Sequence, residues 1–451
     1  MLEYQQARLS RDKRFDGRFF VAVKSTHIFC RNICPAKLPK EENVEYFELA
    51  AQALQKGYRP CLRCRPDSAP NSYAWLGSET TLIRAMRLLR SEPEVGFEDI
   101  AAKLGISDGY LRKLFREKLG ISPKQFQLSE QLLFAKKLLH ETNLSVEQVA
   151  HNCGFNSSRR LQDNMQKAMK LTPTQIRKSE VQPTQTLKVK VPISSDYNWL
   201  QLRDFLARRA IPGIEEVTEC SYEKRFMWGQ AKGWFKATYE VSTNHFDVEI
   251  QSTDYSDLRA IINNIKRVLD TETDFDLIKN ALLASGVKEH DIVPGLRVPG
   301  VWNVFEAGCR AILGQQVSVT AAVNAVSVLA ENVGQNDVNT NQLNMFFPLP
   351  QAVAESDLQF LKMPDRRRQA LRSFAKFMAT SMQPEKLEQW LDIKGIGPWT
   401  VDYAKMRGLS EPDVWLDGDL VVKKRMKDRE IQADKAAPWR SYLTLQMWSE
   451  A

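Results

Sequence analysis

The sequence predicts a multidomain fold that is mainly α-helical with α+β parts, and three observations lead to this prediction. The chain has 451 residues, which is enough for two to four domains that each bury a core. Four of the seven cysteines crowd into a short, loop-rich segment near the N-terminus. Helical patterns of apolar residues fill most of the remainder, except for 185–289, where apolar and polar residues alternate as they do in strands.

Shifts in composition divide the chain into four predicted domains. In chain order they comprise 1–72, 78–180, 185–289 and 290–451. The polar, proline-containing stretch "EVQPTQTLKVKVP" (180–192) cannot be helical throughout, and we expect it to be a linker. In the third domain, "KATYEVST" and "FDVEIQ" indicate strands, and "DLRAIINNIKRVLD" (257–270) indicates an amphipathic helix that lies on them.

The positive charge of the chain is concentrated in its first part. The net charge is +8, of which residues 1–180 contribute +10 and residues 181–451 contribute −2. A basic region of this kind is expected in a protein that meets a polyanion such as nucleic acid. A basic surface that is merely solvated has the same composition, so charge alone does not decide between the two.

The composition indicates a soluble globular protein, with 43% hydrophobic and 26% charged residues. No apolar run approaches the roughly 20 residues that span a bilayer, and the N-terminus lacks the apolar core of a signal peptide. We therefore expect a cytoplasmic protein without a membrane partner. In that reducing compartment, clustered cysteines are expected to be metal ligands or reactive thiols rather than disulfides.

Two cysteine pairs have the spacing of a metal site. Cys30 and Cys34 are spaced C-x3-C, and Cys61 and Cys64 are spaced C-x2-C after a gap of 26 residues. Each pair is short enough for one turn to aim both sulfurs at a common point, and two such pairs complete the tetrahedral thiolate site that zinc favours. We predict one Zn²⁺ per chain and no organic cofactor. The alternative to a reactive centre is a purely structural zinc that stabilises a small core.

The segments around the cysteines resemble a known family. "DGRFFVAVKSTHIFCRNICPAK", "ENVEYF" and "AAQALQKGYRPCLRCRPD" closely resemble the N-terminal domain of the Ada family of alkylation-response proteins, over residues 12–67. The resemblance implies that Cys30 accepts a methyl group from a methylated phosphotriester in DNA, while the other three cysteines remain ligands. Four thiolates on one Zn²⁺ carry a net charge of −2, and methylation removes one negative charge. The zinc site would then repel DNA phosphates less and act as an electrostatic switch.

Two similar helical units follow in the second domain. They are "VGFEDIAAKLGISDGYLRKLFREKLGISPKQF" (95–126) and "LSVEQVAHNCGFNSSRRLQDNMQKAMKLTPTQI" (144–176). Each has the pattern of a helix-turn-helix, with Gly105 or Gly154 at the turn and with Ser107 or Asn156 as the expected N-cap. The doubled motif resembles the AraC-type DNA-binding domain.

The second helix of each unit is then expected to enter the major groove of DNA. The residues expected to contact DNA are Arg112, Lys113, Arg116, Ser157, Ser158, Arg159 and Arg160. A solvated charged face is the alternative for each helix. Members of the family often have an aromatic residue where Leu161 stands, so the second helix is expected to pack differently.

The C-terminal half resembles a different family. "LDIKGIGPWTVDYAKMRG" (391–408) has the pattern of a helix-hairpin-helix, in which Gly395 and Gly397 let the backbone approach a phosphate. Together with "RVPGVWNVFEAGCRAILGQQVSV" (297–319) and "VWLDGDLVVKKR" (414–425), it resembles the helix-hairpin-helix DNA glycosylases. The closest resemblance is to the AlkA-type 3-methyladenine branch, from about residue 196 to 451. It implies an α+β, TATA-binding-protein-like subdomain before the helical one.

The resemblance assigns the catalytic carboxylate to one of two aspartates. Ungapped alignment through Val414, Trp415 and Leu416 places it at Asp419, whereas the "LDG" register of other branches would favour Asp417. A carboxylate there would stabilise the cationic sugar as the base leaves and would orient the attacking water. Capping of the following helix is the structural alternative, and one carboxylate could do both.

Several aromatic residues match the family's base pocket. An alkylated base is electron-poor and is attracted to aromatic faces. The matching positions are Phe205, Trp399, Tyr403 and Trp448, each of which could otherwise be ordinary core. Gln316 matches the wedge that fills the vacated base stack, and the family's tyrosine after the catalytic aspartate is Leu420. Trp399 also stands where bifunctional members have a Schiff-base lysine, so simple hydrolysis to an abasic site is expected.

The leading hypothesis is therefore one chain with two activities on alkylated DNA. It would be a methylphosphotriester sensor and transcriptional activator joined to a monofunctional glycosylase, acting as a monomer on double-stranded DNA and contacting RNA polymerase. A regulator with an inactive glycosylase-like half, or a glycosylase with a purely structural zinc unit, are the alternatives. No Pro-Cys-His-Arg motif occurs, so repair of O6-methylguanine is not predicted.

Overall fold

A computed structural model of the chain contains two compact units. The first comprises residues 1–195 with 254–263, and the second comprises 196–253 with 264–451. The structure describes residues 2–12, 15–64, 66, 80–91, 95–177, 186–240, 244–337, 343–382, 386–426 and 430–449. None of the helices in these ranges is both long and apolar enough to cross a membrane. The predicted fold class, mainly helical with α+β parts, is confirmed.

The first unit begins with a small sheet that carries the cysteines. Its elements are α1 (Leu2–Leu9), β1 (Phe20–Val23), β2 (Ile28–Arg31), β3 (Val44–Phe47), α2 (Ala50–Gln55) and β4 (Arg59–Pro60). The strand order is β3-β1-β2-β4, with β4 parallel to β2 and the other pairs antiparallel. Phe19, Val21 and Val44 form its core with Tyr4, whose ring stacks on Phe19 at 4.4 Å. The core is small, which is typical of a domain that relies on a metal.

Helices and one strand complete the first unit. They are α3 (Thr80–Ser91), α4 (Phe97–Lys103), α5 (Asp108–Leu119), α6 (Pro123–Glu141), α7 (Val146–Asn152), α8 (Ser158–Met169), α9 (Pro173–Ile176) and β5 (Leu187–Pro192). The sequence pairs Ser-Pro and Thr-Pro start α6 and α9, because Ser122 and Thr172 form capping boxes and proline suits the first helical position.

The prediction that residues 180–192 form a linker is partly wrong. Residues 180–185 lie outside the described part of the chain, but Leu187–Pro192 forms strand β5. Leu187, Val189 and Val191 are buried while Lys188 is exposed, so this segment has the period-two alternation of a strand. The polar and proline-rich first half of the stretch obscured that pattern.

The cysteine-bearing sheet and the helices share a hydrophobic core. Leu49 and Ala51 of the α2 region are buried in the same cluster as residues of α3, α4, α5 and α6. Gln52 also donates a hydrogen bond to the carbonyl of Leu119 at the end of α5. The sheet therefore packs directly against the helices and is not connected to them by the chain alone.

The second unit opens with an antiparallel sheet. Its first elements are α10 (Trp199–Ala207), β6 (Glu215–Val217), β7 (Ser221–Trp228), β8 (Ala231–Glu240) and β9 (His245–Ser252), with neighbouring strands in the order β9-β8-β7-β6. Along the chain follow α11 (Leu258–Val268), of which residues 258–263 are counted in the first unit, and α12 (Phe275–Ala284). The strand predicted from "KATYEVST" is confirmed as β8 up to residue 240, and 241–243 lie outside the described residues. The strand predicted from "FDVEIQ" and the helix predicted at 257–270 are confirmed as β9 and α11.

The remainder of the second unit is almost entirely helical. It contains α13 (Val304–Gly314), α14 (Val319–Val333), β10 (Gln335–Asn336), β11 (Met345–Phe346), α15 (Pro350–Glu355), α16 (Asp365–Thr380), α17 (Pro398–Gly408), α18 (Leu420–Met426) and α19 (Arg440–Ser449). Short 3-10 helices include Glu289–Asp291, Leu387–Asp392 and Ala433–Ala436. Two cores result, one around Phe374 and Trp390 and the other around Phe205, Leu416 and Leu443.

Candidate functional site

The structure brings the four predicted metal ligands together. The sulfurs of Cys30, Cys34, Cys61 and Cys64 all lie within 4.8 Å of one another. Strand β4 runs parallel to β2, and the amide of Cys61 donates to the carbonyl of Phe29, so the second cysteine pair is placed beside the first. A tetrahedral site with Zn–S bonds of about 2.3 Å separates its sulfurs by about 3.8 Å, which this cluster accommodates.

The donor set fits Zn²⁺. Four crowded thiols compete for protons, so hydrogen bonding to Cys34 raises the pKa of Cys30, whereas hydrogen bonding from Cys30 lowers the pKa of Cys34 to about 7. A divalent cation removes this conflict because it stabilises all four sulfurs as thiolates. The four cysteines form the zinc site of this chain.

An ion pair between Arg31 and Asp16 lies beside the zinc site. The guanidinium of Arg31 donates two hydrogen bonds to the carboxylate of Asp16, which is almost completely buried. The backbone amide of Arg31 points at the sulfur of Cys64 at 3.4 Å. Arg31 follows Cys30 directly, so this pairing fixes the strand that carries the proposed acceptor. Spacing alone did not reveal Asp16, since it precedes Cys30 by 14 residues.

Both helix-turn-helix units have the predicted turns, but one cap was wrong. Gly105 and Gly154 have φ of +68° and +76°, which favours glycine. The hydroxyl of Ser107 accepts from the amide of Tyr110, as predicted. In the second unit the cap is Ser157, which accepts from Arg160, and not Asn156. Either residue has cap chemistry, and the actual helix start is one residue later.

The proposed DNA-contact residues lie on the exposed sides of α5 and α8. Arg112, Lys113 and Arg116 are exposed on α5, although Arg112 bonds Asp108 at 2.7 Å within its own helix. The exposed residues of the second unit are Ser157, Arg159 and Arg160, whereas Ser158 is half-buried. Leu161 is fully buried. An aliphatic side chain thus fills the core position at which members of the family often have an aromatic residue.

The hairpin of the predicted helix-hairpin-helix is a tight turn before α17. Gly395 has a φ of +96°, and a Cβ there would lie 2.8 Å from that of Ala370, so only glycine suits this position. A Cβ at Gly397 would meet nothing within 4 Å, which leaves its backbone open to a close approach. The element before the turn is a 3-10 helix and not the α-helix that the motif suggests.

Two adjacent glutamines lie beside this hairpin: Gln315 forms hydrogen bonds with it, and Gln316 is exposed to solvent. Gln315 donates to the carbonyl of Gly395 and to the hydroxyl of Thr400, both at 3.1 Å, and was missed from the sequence. Gln316, the proposed wedge, is exposed and has a φ of +58°, which is unusual for a residue other than glycine. Strain at an exposed residue anchored by its neighbour is typical of a functional position.

The four proposed pocket aromatics form one continuous cluster. Phe205 stacks on Trp448 with ring centroids 6.3 Å apart and an interplanar angle of 18°. Tyr403 then lies 6.4 Å from Trp448 and 5.4 Å from Trp399. Phe205 is buried and the other three are half-buried, so the cluster presents aromatic surface to solvent. These residues come from α10, α17 and α19, far apart in the sequence.

Asp419 connects this cluster to the start of α18. Its carboxylate accepts hydrogen bonds from the indoles of Trp399 at 3.3 Å and Trp448 at 3.2 Å. It also accepts from the amides of Val421 at 2.9 Å and Val422 at 3.2 Å, and so caps the helix. The carboxylate is thereby held in one orientation at the edge of the aromatic cluster.

Asp417 has different surroundings. It is exposed, and its charge adds to the burial that raises the pKa of Asp402. It forms no hydrogen bond with the aromatic cluster among the described residues, whereas Asp419 forms two. This geometry favours Asp419 over Asp417 as the catalytic candidate, and the assignment remains a prediction.

A buried charge network lies next to the pocket and was also missed. Lys224 bonds Glu215 at 2.8 Å and Glu306 at 3.1 Å, and Arg310 bonds the same two carboxylates. Its one sequence signal is Glu306 and Arg310, spaced i,i+4 in the otherwise apolar helix α13. Lys224 comes from β7 and Glu215 from β6, so only the tertiary fold brings the network together.

Comparison with known proteins gives matches along most of the chain. A model described as the metal binding domain of Ada matches residues 3–67, a helix-turn-helix domain matches 100–179, and an AlkA N-terminal domain matches 187–303. Over 122 residues the chain is 39% identical to the bifunctional transcriptional activator/DNA repair enzyme Ada of Escherichia coli, covering 27% of this chain and 34% of that protein.

Two further relatives cover about half and nearly all of the chain. DNA-3-methyladenine glycosylase 2 of Escherichia coli is 30% identical over 268 residues, covering 56% of this chain and 93% of that protein. The probable bifunctional transcriptional activator/DNA repair enzyme AlkA of Mycobacterium tuberculosis is 30% identical over 471 aligned residues, covering 98% of this chain and 94% of that protein. The chain therefore belongs to the family of bifunctional transcriptional activator/DNA repair enzymes that join Ada-type and AlkA-type parts.

Proposed function

We propose that this protein senses methylated DNA with its zinc site and removes alkylated bases with its C-terminal half. The observation that carries the proposal is the pairing of two reactive centres in one chain. One is a four-cysteine cluster, and the other is a carboxylate held by two indoles at an aromatic cluster. Relatives named transcriptional activator/DNA repair enzyme and 3-methyladenine glycosylase support both assignments.

At the zinc site, Cys30 is the proposed methyl acceptor. Its sulfur attacks the methyl carbon of a phosphotriester, the carbon–oxygen bond breaks, and a phosphodiester anion leaves. The four cysteines would hold Zn²⁺, which would keep the sulfur of Cys30 deprotonated; once methylated, that sulfur would be a neutral thioether, so the site would lose one negative charge and repel DNA less. Stronger binding of α5 and α8 to promoter DNA then activates transcription, with RNA polymerase as a further proposed partner.

At the aromatic cluster, Asp419 is the proposed catalytic carboxylate. A flipped base would lie against Phe205, Trp399, Tyr403 and Trp448, while Gln316 occupies the gap that it leaves. As the glycosidic bond of a base such as 3-methyladenine breaks, the carboxylate stabilises the cationic sugar and orients water. The hairpin amides after Gly395 and Gly397 are proposed to hold a DNA phosphate. We further propose that the protein acts as a cytoplasmic monomer.

One reaction mixture tests both activities. The full chain, loaded with zinc, is incubated with DNA treated with a methylating agent. We expect a mass increase of one methyl group on the peptide that contains Cys30, together with release of free 3-methyladenine. Absence of the adduct would leave the zinc site structural, and absence of the free base would leave the C-terminal half without the proposed enzymatic role.

A further inference from the structure

The side chain of Gln315 joins the loop before α14 to the hairpin before α17. Its amide nitrogen lies 3.1 Å from the carbonyl oxygen of Gly395 and 3.1 Å from the hydroxyl oxygen of Thr400. A backbone carbonyl can only accept a hydrogen bond, so the nitrogen of the amide and not its oxygen must face Gly395. One half-buried side chain therefore bonds both the hairpin and the first turn of the helix that follows it.

These two hydrogen bonds lie at one end of a pair of packed helices. Helices α13 and α17 run antiparallel, so the end of α13 meets the beginning of α17 at Gln315. At the opposite end of the pair, Gly408 approaches α13 so closely that a Cβ there would lie 3.0 Å from that of Ala307. Close packing thus fixes one end of the pair, and the side chain of Gln315 fixes the end beside the hairpin.

The residues that follow Gln315 form an exposed tip, which comprises 316–319. Gln316 is exposed and has a φ of +58°, and Val317 and Val319 are 42% and 44% exposed. Ser318 then caps α14 through its side chain. Apolar side chains at such a tip suit insertion between bases, which agrees with the wedge proposed for Gln316.

The bond to Thr400 also reaches the wall of the aromatic pocket. Thr400 follows Trp399, whose indole donates to the carboxylate of Asp419 at 3.3 Å. Tyr403 lies one turn further along α17, with its ring centroid 5.4 Å from that of Trp399. Gln315 therefore connects three parts of the site that come from separate stretches of the sequence, namely the tip, the hairpin and the pocket wall.

We propose that Gln315 is a positioning residue that holds the tip at a fixed distance from the hairpin and the pocket. This inference rests on the glycosylase function proposed above. The hairpin binds a phosphate, Gln316 enters the base stack, and the displaced base enters the pocket. Because Gln315 joins these parts rigidly, phosphate binding also places the tip, and little of the binding energy is lost in movement of the loop. Gln315 itself contacts neither the base nor the sugar.

The cost of moving a base out of the stack determines where this contribution is measurable. That cost is largest for a base paired with its complement and smaller for a base without a partner. A tip held in place therefore matters most for the paired base. Loss of Gln315 should slow release of a paired base more than release of an unpaired one, whereas a general loss of stability would slow both equally.

The test measures release of 3-methyladenine from one methylated strand annealed to either of two complements. One complement has thymine opposite the single adenine of that strand, and the other has an abasic-site analogue there. For the full zinc-loaded chain, we expect Gln315→Ala to lower kcat/KM about tenfold for the paired base, which corresponds to the loss of two hydrogen bonds, and less than about threefold for the unpaired base. Thr400→Val removes one of the two acceptors and should cause a smaller change in the same direction.

The matched control is Gln369, an exposed glutamine of α16 that donates to the carboxylate of Asp365. It precedes Ala370, which faces Gly395 of the hairpin, and Gln369→Ala is expected to leave the ratio of the two rates unchanged. If the unaltered chain releases 3-methyladenine but Gln315→Ala keeps the normal ratio, whether or not both rates fall, the inference fails alone. If the unaltered chain releases no 3-methyladenine from either duplex, the proposed glycosylase function fails, and the inference fails with it.

Discussion

At the scale of single residues, Asp419 has two structural roles that can be separated. Its carboxylate caps α18 through the amides of Val421 and Val422 and also receives the indoles of Trp399 and Trp448. Asparagine is as good an N-cap as aspartate but carries no charge. A comparison of two substitutions therefore distinguishes loss of the helix cap from loss of the charge.

We expect Asp419→Asn to unfold with nearly the same free energy as the unaltered chain, and Asp419→Ala to lose about 1 kcal/mol. Both variants should lose release of 3-methyladenine, because each lacks the carboxylate that stabilises the sugar cation. Urea unfolding and base release measure the two effects. If Asp419→Asn kept full activity, Asp417 would become the candidate, and Asp417→Asn is the matched variant for that comparison.

Residue chemistry also explains which parts of the sites the sequence could predict. The cysteines and the pocket aromatics were identified because their side chains are chemically distinctive and their spacing matches known families. Lys224 was not identified, because its role depends on a partner 82 positions away in the sequence, Glu306. Asn156 was chosen over Ser157 because both residue types cap helices, and sequence does not locate a helix start to one residue.

At the scale of elements, helix α2 joins the zinc site to the helix-turn-helix units. Ala51 is buried in the cluster that holds α3 to α6, while Gln55 of the same helix is exposed. This shared core was not predicted, because the sequence offered no signal that the short segment "AAQALQ" packs on helices that begin some 25 residues later. Loss of the zinc site should therefore loosen the helices too.

We expect Ala51→Glu to increase hydrogen exchange in α4, α5 and α6 as well as in the zinc-binding sheet, because a buried carboxylate there has no partner. Gln55→Glu adds the same charge to the exposed side of α2 and should leave hydrogen exchange unchanged in both the helices and the sheet. Hydrogen exchange read by mass spectrometry on the full chain localises the effect. Increased exchange confined to the zinc-binding sheet would show that the sheet and helices α4, α5 and α6 do not stabilise each other.

At the scale of the whole molecule, the second unit depends on a buried network between its sheet and its helices. Burial raises the pKa of Glu215, but the charges of Lys224 and Arg310 outweigh it and hold that pKa well below the usual range. A carboxyl group with a depressed folded pKa stabilises the fold above its unfolded pKa of about 4.3, and this stabilisation is lost as pH falls below that value. The network should therefore contribute to acid sensitivity.

We expect Glu215→Gln to lower the free energy of unfolding at pH 7 by about 3 to 5 kcal/mol, because it leaves buried cations without their partner. The stability of this variant should also fall less between about pH 5 and pH 3 than that of the unaltered chain. Urea unfolding at several pH values measures both effects. Parallel stability curves for the two proteins would contradict the role assigned to this carboxylate.

The central claim is that one chain performs two independent reactions on methylated DNA. The most direct measurement follows both products, methylated Cys30 peptide and free 3-methyladenine, in reactions of the unaltered chain, Cys30→Ala and Asp419→Asn. The account predicts that Cys30→Ala loses only the adduct and that Asp419→Asn loses only the free base. Release of the base at the normal rate by Asp419→Asn, or a methyl adduct in the same peptide of Cys30→Ala, would contradict it.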